Sequence, residues 1–304
     1  MEFIYKIGEA FWKSVKKSDA KRLSTQFPPK NIKEINDIPY ISDGNIYHFL
    51  DIYYPEQSQG NLPVIIDIHG GGWMYGDKEL NKIYCMNLAQ RGFLVFNISY
   101  RLVPSVTVNE QLQDIAYALR WISENMKDYP CDAENIMLTG DSAGGQLAAY
   151  SAMLSISEEM RNIFDTVDPK ISFDVLTLTS PVAYMDTSPL GIYTTMMWGK
   201  EYRNKKTYPY MNFNAILPFG QLPPTILITS SGDLMALEQT KRAYADLRKF
   251  SVDAKLINFP KFEGEHLPHV FSVAEPQSKA GKIAIDEFIS FYKKIIAEKE
   301  TVKN

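Results

Sequence analysis

From Leu62 onward, short apolar runs alternate with longer segments of helical periodicity, and this alternation constrains the fold more than any other feature. LPVIIDIH (62–69), FLVFNISY (93–100), NIMLTG (135–140), FDVLTLTSP (173–181), TILITS (225–230) and AKLINFP (254–260) are each too short for a core helix. They are rich in β-branched and aromatic residues, as strands are. Between them lie NKIYCMNLAQRG (81–92), EQLQDIAYALRWISENM (110–126), AGGQLAAYSAML (143–154) and LEQTKRAYADLRKF (237–250), and a closing helix covers about 277–296. Continuous apolar strands joined by helices require a parallel sheet covered on both faces. The expected fold is an α/β doubly wound sheet. IYHFLDIYYP (46–55) alternates polar and apolar residues and is expected to add antiparallel pairing at one edge.

Two segments fall outside the alternation. Residues 1–35 carry Phe3, Ile4, Ile7, Phe11, Trp12 and Val15 near helical spacing, with lysines opposite. Such a stripe suits a helix packed on its own protein, or one lying on a membrane surface. Residues 182–222 are rich in aromatics and methionine and too long for a plain connection. Together the two segments are expected to form a cap on a single domain of residues 1–304, with an apolar pocket beneath it. Most of the individual aromatics are expected to be core.

With 304 residues, 45% of them hydrophobic, the chain can bury a large core without disulfide or metal staples. Cys85 and Cys131 lie far apart and outside any CxxC pattern, and the four histidines include no HExxH pair, so no metal or other cofactor is expected. The net charge of −4 comes with scattered basic residues, which gives no nucleic-acid footprint. Glu2, Lys6 and Glu9 interrupt the first apolar stretch, and no later run is long enough to span a bilayer. The expectation is a soluble, cytoplasmic protein acting on a small molecule.

Gly140-Asp141-Ser142-Ala143-Gly144 matches GxSxG, with a strand ending before Ser142 and a helix starting after it. A tight strand-to-helix turn exposes such a serine as a nucleophile, and flanking glycines let the turn close. His69-Gly70-Gly71-Gly72 follows another strand. Consecutive glycines allow close backbone approach, and an oxyanion needs two or three preorganised N–H donors. Gly71, Gly72 and Ala143, just after the nucleophile, are the candidates. His69 is expected to bond locally and shape this loop. The glycines lack the spacing of a phosphate-binding loop.

HGGGW (69–73), YRL (100–102), GDSAGG (140–145), an aspartate after a late strand and a histidine before the last helix resemble the hormone-sensitive-lipase group of α/β-hydrolases. The resemblance covers roughly residues 46–296. It implies an esterase or lipase activity, a cofactor-free mechanism and a cap built partly from N-terminal helices. One departure is visible: after YRL the family has a Pro-rich stretch, whereas this chain has only Pro104 in LVPSVTVNEQLQD.

In α/β-hydrolases the acid and then the histidine follow the serine. Only His266 and His269 qualify, and spacing alone does not separate them. The resemblance selects His269, because Val270-Phe271 follows it as in the family. Asp233, directly beyond TILITS, stands at the strand end where the active edge of such a sheet lies. Glu238 is set into the next helix, and Glu263 and Glu265 have no strand to position them. Trp73, Asp141 and Trp198 are the expected substrate contacts, with a hydrogen bond within the turn as the other reading of Asp141. The expected function is serine carboxylic ester hydrolysis on short-to-medium acyl esters. An arylformamidase-like amidase is the alternative, and a non-catalytic ligand-binding protein would have lost a triad member.

Overall fold

The computed structural model describes residues 2–58, 60–185 and 191–303. In chain order the elements are α1 (Glu2–Leu23), β1 (Ile32–Pro39), β2 (Phe49–Pro55), β3 (Leu62–Ile68), α2 (Lys82–Ala89), β4 (Leu94–Ile98), α3 (Val108–Asn125), β5 (Cys131–Asp141) and α4 (Ser142–Ile156). They continue with α5 (Glu158–Phe164), β6 (Val175–Thr179), α6 (Gly191–Trp198), α7 (Phe213–Ile216), β7 (Thr225–Ser230), α8 (Leu237–Lys249), β8 (Ala254–Phe259), α9 (Phe271–Ala274) and α10 (Lys279–Lys303).

The strands form one sheet in the order β1-β2-β4-β3-β5-β6-β7-β8. The β1–β2 and β2–β4 pairs are antiparallel and the other pairs parallel. The alternation read from Leu62 onward thus becomes a doubly wound sheet, with the expected antiparallel pairing at one edge. The edge strand β1 begins inside the segment expected to belong to the cap. Its burial alternates weakly, and a bulge lies between Ile35 and Ile38.

Period-two alternation sorts each central strand between two cores. Val64, Ile66 and Ile68 of β3, Leu94, Phe96 and Ile98 of β4, and Ile136 and Leu138 of β5 face the layer of α3 and α4. Ile65, Val95 and Met137 from the same strands face α2 and α10. Burying both faces explains why these runs carry so few polar residues.

The site follows from a topological switch. From β3 the chain moves outward to β4, then returns to β5 on the other side of β3. In register, Ile68 of β3 lies beside Ile98 of β4 and Gly140 of β5. The connections leaving β3 and β5 therefore diverge, opening a crevice at the strands' carboxyl ends.

Helix α1 packs on its own protein. The Arg22 Nη1 donates to the Ala274 carbonyl at 2.8 Å, and the Trp12 ring stacks on Tyr75 with centroids 5.6 Å apart. The side chains of Phe3, Ile4, Ile7 and Phe11 lie outside the described residues. No helix among the described residues is long and apolar enough to cross a membrane.

The 182–222 segment corrects one expectation. Tyr184, Met197, Trp198, Met211 and Phe213 are buried in the core with α3 and α4, and the Tyr150 hydroxyl of α4 donates to the Tyr210 carbonyl at 2.7 Å. These residues thicken one helical layer rather than roof the crevice. Tyr193 lies outside the described side chains.

Candidate active site

Ser142 sits between β5 and α4 with φ of 52°, a left-handed conformation rare for a residue with a Cβ. The turn closes because its neighbours are small. A Cβ on Gly144 would strike the carbonyls of Ile68 and His69, so α4 approaches β3 only with glycine there. The residue is buried, and its carbonyl accepts from the Val182 N–H at 3.0 Å.

Three elements bring the polar side chains together. The His269 Nε2 lies 2.8 Å from the Ser142 Oγ, and its Nδ1 lies 3.1 Å from both carboxylate oxygens of Asp233. Asp233 follows β7, where its Oδ1 accepts the backbone N–H groups of Met235 at 3.0 Å and Ala236 at 2.9 Å. The loop carrying His269 is tethered to the same strand, since the Ser230 hydroxyl donates to the Leu267 carbonyl at 2.6 Å. Burial pushes the Asp233 carboxyl up, but the hydrogen bond and charge of His269 and the Ala236 N–H outweigh it and hold the acid below its ordinary value. His266 is exposed and forms no part of this chain of bonds.

The glycine loop after β3 turns tightly. Gly71 has φ of 109° and Gly72 of 58°, and the Gly71 carbonyl accepts from Met74 and Tyr75 at 3.1 and 3.0 Å. A Cβ on Gly71 would collide with the Tyr75 carbonyl, so this position admits glycine alone. Trp73 is also left-handed, with φ of 63°. Its indole donates to Gln146 of α4 at 3.0 Å, and its carbonyl accepts from Gln111 of α3 at 2.8 Å. The YRL motif finds its role here. The Tyr100 hydroxyl donates to the His69 carbonyl at 2.7 Å, while Arg101 grips Asp114 through Nε and Nη2 at 2.8 and 2.6 Å. Ala143, in the first turn of α4, has no intrahelical acceptor for its N–H.

His69 is fully buried, its Nδ1 2.7 Å from the Gly70 carbonyl and its ring stacked on Tyr100 at 4.4 Å. Burial lowers its pKa to about 4, so it is neutral and shapes the loop. Asp141 also acts within the protein: it accepts from the Gly70 N–H at 3.0 Å and from Asn81 Nδ2 at 2.8 Å. Asn81 donates to Asp67 as well, at 2.9 Å. Burial pushes the Asp141 carboxyl up, and burial together with the charge of Asp141 takes Asp67 to about 8.

A cavity of about 410 Å³ opens over Ser142 and His269. Gly71, Gly72, Trp73 and Asp141 line it, as do Trp12, Val15, Asp19 and Arg22 of α1. Of the described residues in 182–222, only Val182 takes part. Trp198, expected as a substrate contact, is instead buried away from the cavity, with its ring 6.5 Å from Phe164. The sequence reading missed Asp19, Arg22 and Asn81. Asp19 and Arg22 continue the Trp12–Val15 face at helical spacing, which is a usable signal, whereas nothing local marks Asn81.

A doubly wound sheet with its serine on a strand–helix elbow, a histidine and acid beside it and a glycine loop opposite defines an α/β-hydrolase. Comparison with known proteins agrees. A family model described as BD-FAE matches residues 50–190. A probable isoprenylcysteine alpha-carbonyl methylesterase of Oryza sativa is 36% identical over 104 residues, covering 34% of this chain and 24% of that protein. Esterase LipQ of Mycobacterium tuberculosis is 30% identical over 141 residues, covering 45% and 33%. The chain thus matches about a quarter to a third of the length of these curated relatives. A crystal structure of esterase B from Lactobacillus rhamnosis, described with a tributyrin phosphonate, superimposes with a TM-score of 0.94 at 28% identity, covering 99% of this chain and 98% of that one. The fold is that of the α/β-hydrolases, shared with esterase B over 99% of the chain.

Proposed function

We propose that this protein is a serine carboxylic ester hydrolase acting on small, short-to-medium acyl esters. The observation that carries the reading is the continuous relay from Ser142 Oγ through His269 to Asp233, at 2.8 and 3.1 Å, opening into an apolar cavity. The similarity to esterase B and LipQ supports it.

On this reading the geometry supports acyl transfer through an acyl-enzyme. His269 Nε2 takes the hydroxyl proton as Ser142 Oγ bonds to the ester carbonyl carbon. The carbonyl electron pair moves onto oxygen, where the N–H groups of Gly71, Gly72 and Ala143 receive it. The intermediate collapses by breaking the C–O bond to the alcohol, which leaves with the proton from His269. Water then adds to the acyl-enzyme by the same sequence and regenerates Ser142. Asp233, held ionised by His269, fixes the imidazole so that Nε2 faces the serine and stabilises its cation. Trp73 and Asp141 act by shaping the glycine loop that carries two of the donors.

The test is hydrolysis of p-nitrophenyl esters from acetyl to dodecanoyl by wild type and Ser142→Ala. Activity on short and medium chains that the substitution reduces at least a thousandfold is expected. Undiminished activity in Ser142→Ala would refute the mechanism. A wild type that cleaves matched amides but no ester would make the protein an amidase.

A further inference from the structure

Helix α1 presents Trp12, Val15, Asp19 and Arg22 to the cavity, a spacing that keeps all four on one face. Ten residues separate Trp12 from Arg22, about 15 Å along the helix axis. Arg22 holds one end of this face through its bond to the Ala274 carbonyl at 2.8 Å. At the other end Trp12 meets Tyr75, with centroids 5.6 Å apart and planes inclined by 24°. Tyr75 is fixed from the opposite side, since its N–H donates to the Gly71 carbonyl at 3.0 Å, within the glycine loop itself.

Beyond this pair lies a second cavity of about 330 Å³, lined by Met74, Val103, Pro104 and Met196 together with Lys13 and Lys16. Trp12 and Tyr75 line both cavities. The catalytic chamber therefore ends in a wall of two rings supplied by two unrelated elements, with unused space behind it.

We propose that the stacked Trp12–Tyr75 pair is the specificity determinant that sets how long an ester chain the catalytic chamber accepts. The proposal rests on the esterase reading for its substrate and on the geometry of the two cavities for its location. Opening the wall joins the chambers and admits chains that wild type rejects. Each further buried methylene strengthens binding about fourfold, from roughly 0.8 kcal/mol apiece, so two more give over tenfold.

The experiment compares wild type, Trp12→Ala, Trp12→Phe, Tyr75→Ala and Gln26→Ala on two series. One varies the acyl chain of p-nitrophenyl esters from acetyl to dodecanoyl, and the other varies the alcohol of acetate esters from ethyl to dodecyl. In one series, the ratio of kcat/KM for the longest to the shortest ester rises at least tenfold in Trp12→Ala and in Tyr75→Ala. It stays near wild type in Trp12→Phe, which keeps a ring. Gln26, just beyond α1, donates to the Ala274 carbonyl at 2.5 Å and does not line the cavity, so Gln26→Ala loosens that end of the helix and leaves the ratio unchanged. Unchanged ratios in both alanine variants of the wall, or an equal rise in Gln26→Ala, would overturn the proposal. Calorimetric binding of straight-chain alkyl methyl ketones, butyl to dodecyl, reads the chamber's length without turnover. If wild type cleaves no ester, the esterase reading fails, and the ketone series alone decides the wall. It supports the wall if Trp12→Ala gains at least tenfold for dodecyl over butyl and rejects it otherwise.

Discussion

Replacing Asp67 with asparagine is expected to make the protein's stability less sensitive to rising pH. Asp67 is fully buried on β3, where its Oδ2 accepts from Asn81 Nδ2 at 2.9 Å, and the same amide serves Asp141. Burial, then the neighbouring Asp141 charge, raise its pKa from 3.8 to about 8. Between those values the folded protein holds a proton that the unfolded chain has released. The folded state therefore binds more protons, and stability falls as pH rises. The contribution is fully present below about pH 4 and is lost by about pH 8. Within that window the slope is about 1.4 kcal/mol per pH unit, which amounts to about 3 kcal/mol between pH 5 and 7. An asparagine side chain resembles the protonated acid in shape and has no proton to lose. Groups common to both proteins cancel in their difference, whatever the fixed effect of the substitution. Urea unfolding of wild type and Asp67→Asn at pH 5, 6 and 7 should show the variant gaining about 3 kcal/mol on wild type across the range. A difference constant to within about 1 kcal/mol would mean that Asp67 is ionised in the folded protein and would refute the reasoning, a result well resolved at the precision of such extrapolations.

Asp233→Asn keeps the shape of the acid but removes the charge that fixes the His269 tautomer. A fall of about 10⁴-fold in kcat is expected, measured on p-nitrophenyl acetate. Because the Asp233 carboxyl lies below its ordinary value of 3.8, its stabilising contribution is present above about pH 4 and is lost as pH falls further, so wild type's thermal advantage over this variant shrinks on acidification. Gly71→Ala forces a Cβ into the Tyr75 carbonyl at φ of 109°, which displaces the loop, and kcat/KM should fall about 10²–10³-fold while circular dichroism shows the fold retained. Trp198→Phe should lower stability by about 1–3 kcal/mol in urea unfolding and leave the acyl-chain profile unchanged, since Trp198 packs in the core against Phe164.

The sheet was legible because its central strands are buried on both faces, and burial demands the apolar runs that the sequence displays between Leu62 and Ser230. The Ser142 elbow and the glycine loop were legible for a related reason. Ser142 and Gly71 need unusual backbone conformations, and the glycines that permit them form dense motifs. Contacts between distant elements left weaker traces. Strand β1 escaped notice because Lys33, Glu34 and Asp37 break its pattern at an exposed edge. Trp12 and Val15 announced an amphipathic helix, but helical spacing specifies a face and not what covers it. The aromatics of 182–222 looked like a roof over the pocket because composition does not distinguish a lining ring from a core ring. In the fold, Tyr184, Trp198 and Phe213 are core. Asp67 lies within the apolar run LPVIIDIH, and nothing beside it in sequence betrays its tie to Asn81.

Of the described residues that line the cavity, three other than glycine have left-handed backbones, Trp73 at 63°, Ser142 at 52° and Val270 at 53°. Each sits at a point where an element hands its chain to the site: the glycine loop after β3, the elbow after β5, and the turn immediately after His269. Such conformations are unfavourable for a residue with a Cβ and persist only where surrounding contacts over-determine them. Those contacts are visible for the first two. Trp73 is held by Gln146 on one side and Gln111 on the other, and Ser142 by the close packing of Gly144 on β3. The bracing groups belong to α3, α4 and the central strands, the most deeply buried parts of the molecule. The glycine loop and the Ser142 elbow are thus held by rigid structure. Such preorganisation lets backbone dipoles stabilise an oxyanion without first reorienting. α1 meets the body through side chains that include Arg22 and Trp12. On the proposed role of the Trp12–Tyr75 wall, selectivity for the ester's length would change along α1 while Ser142 and the glycine loop stay fixed.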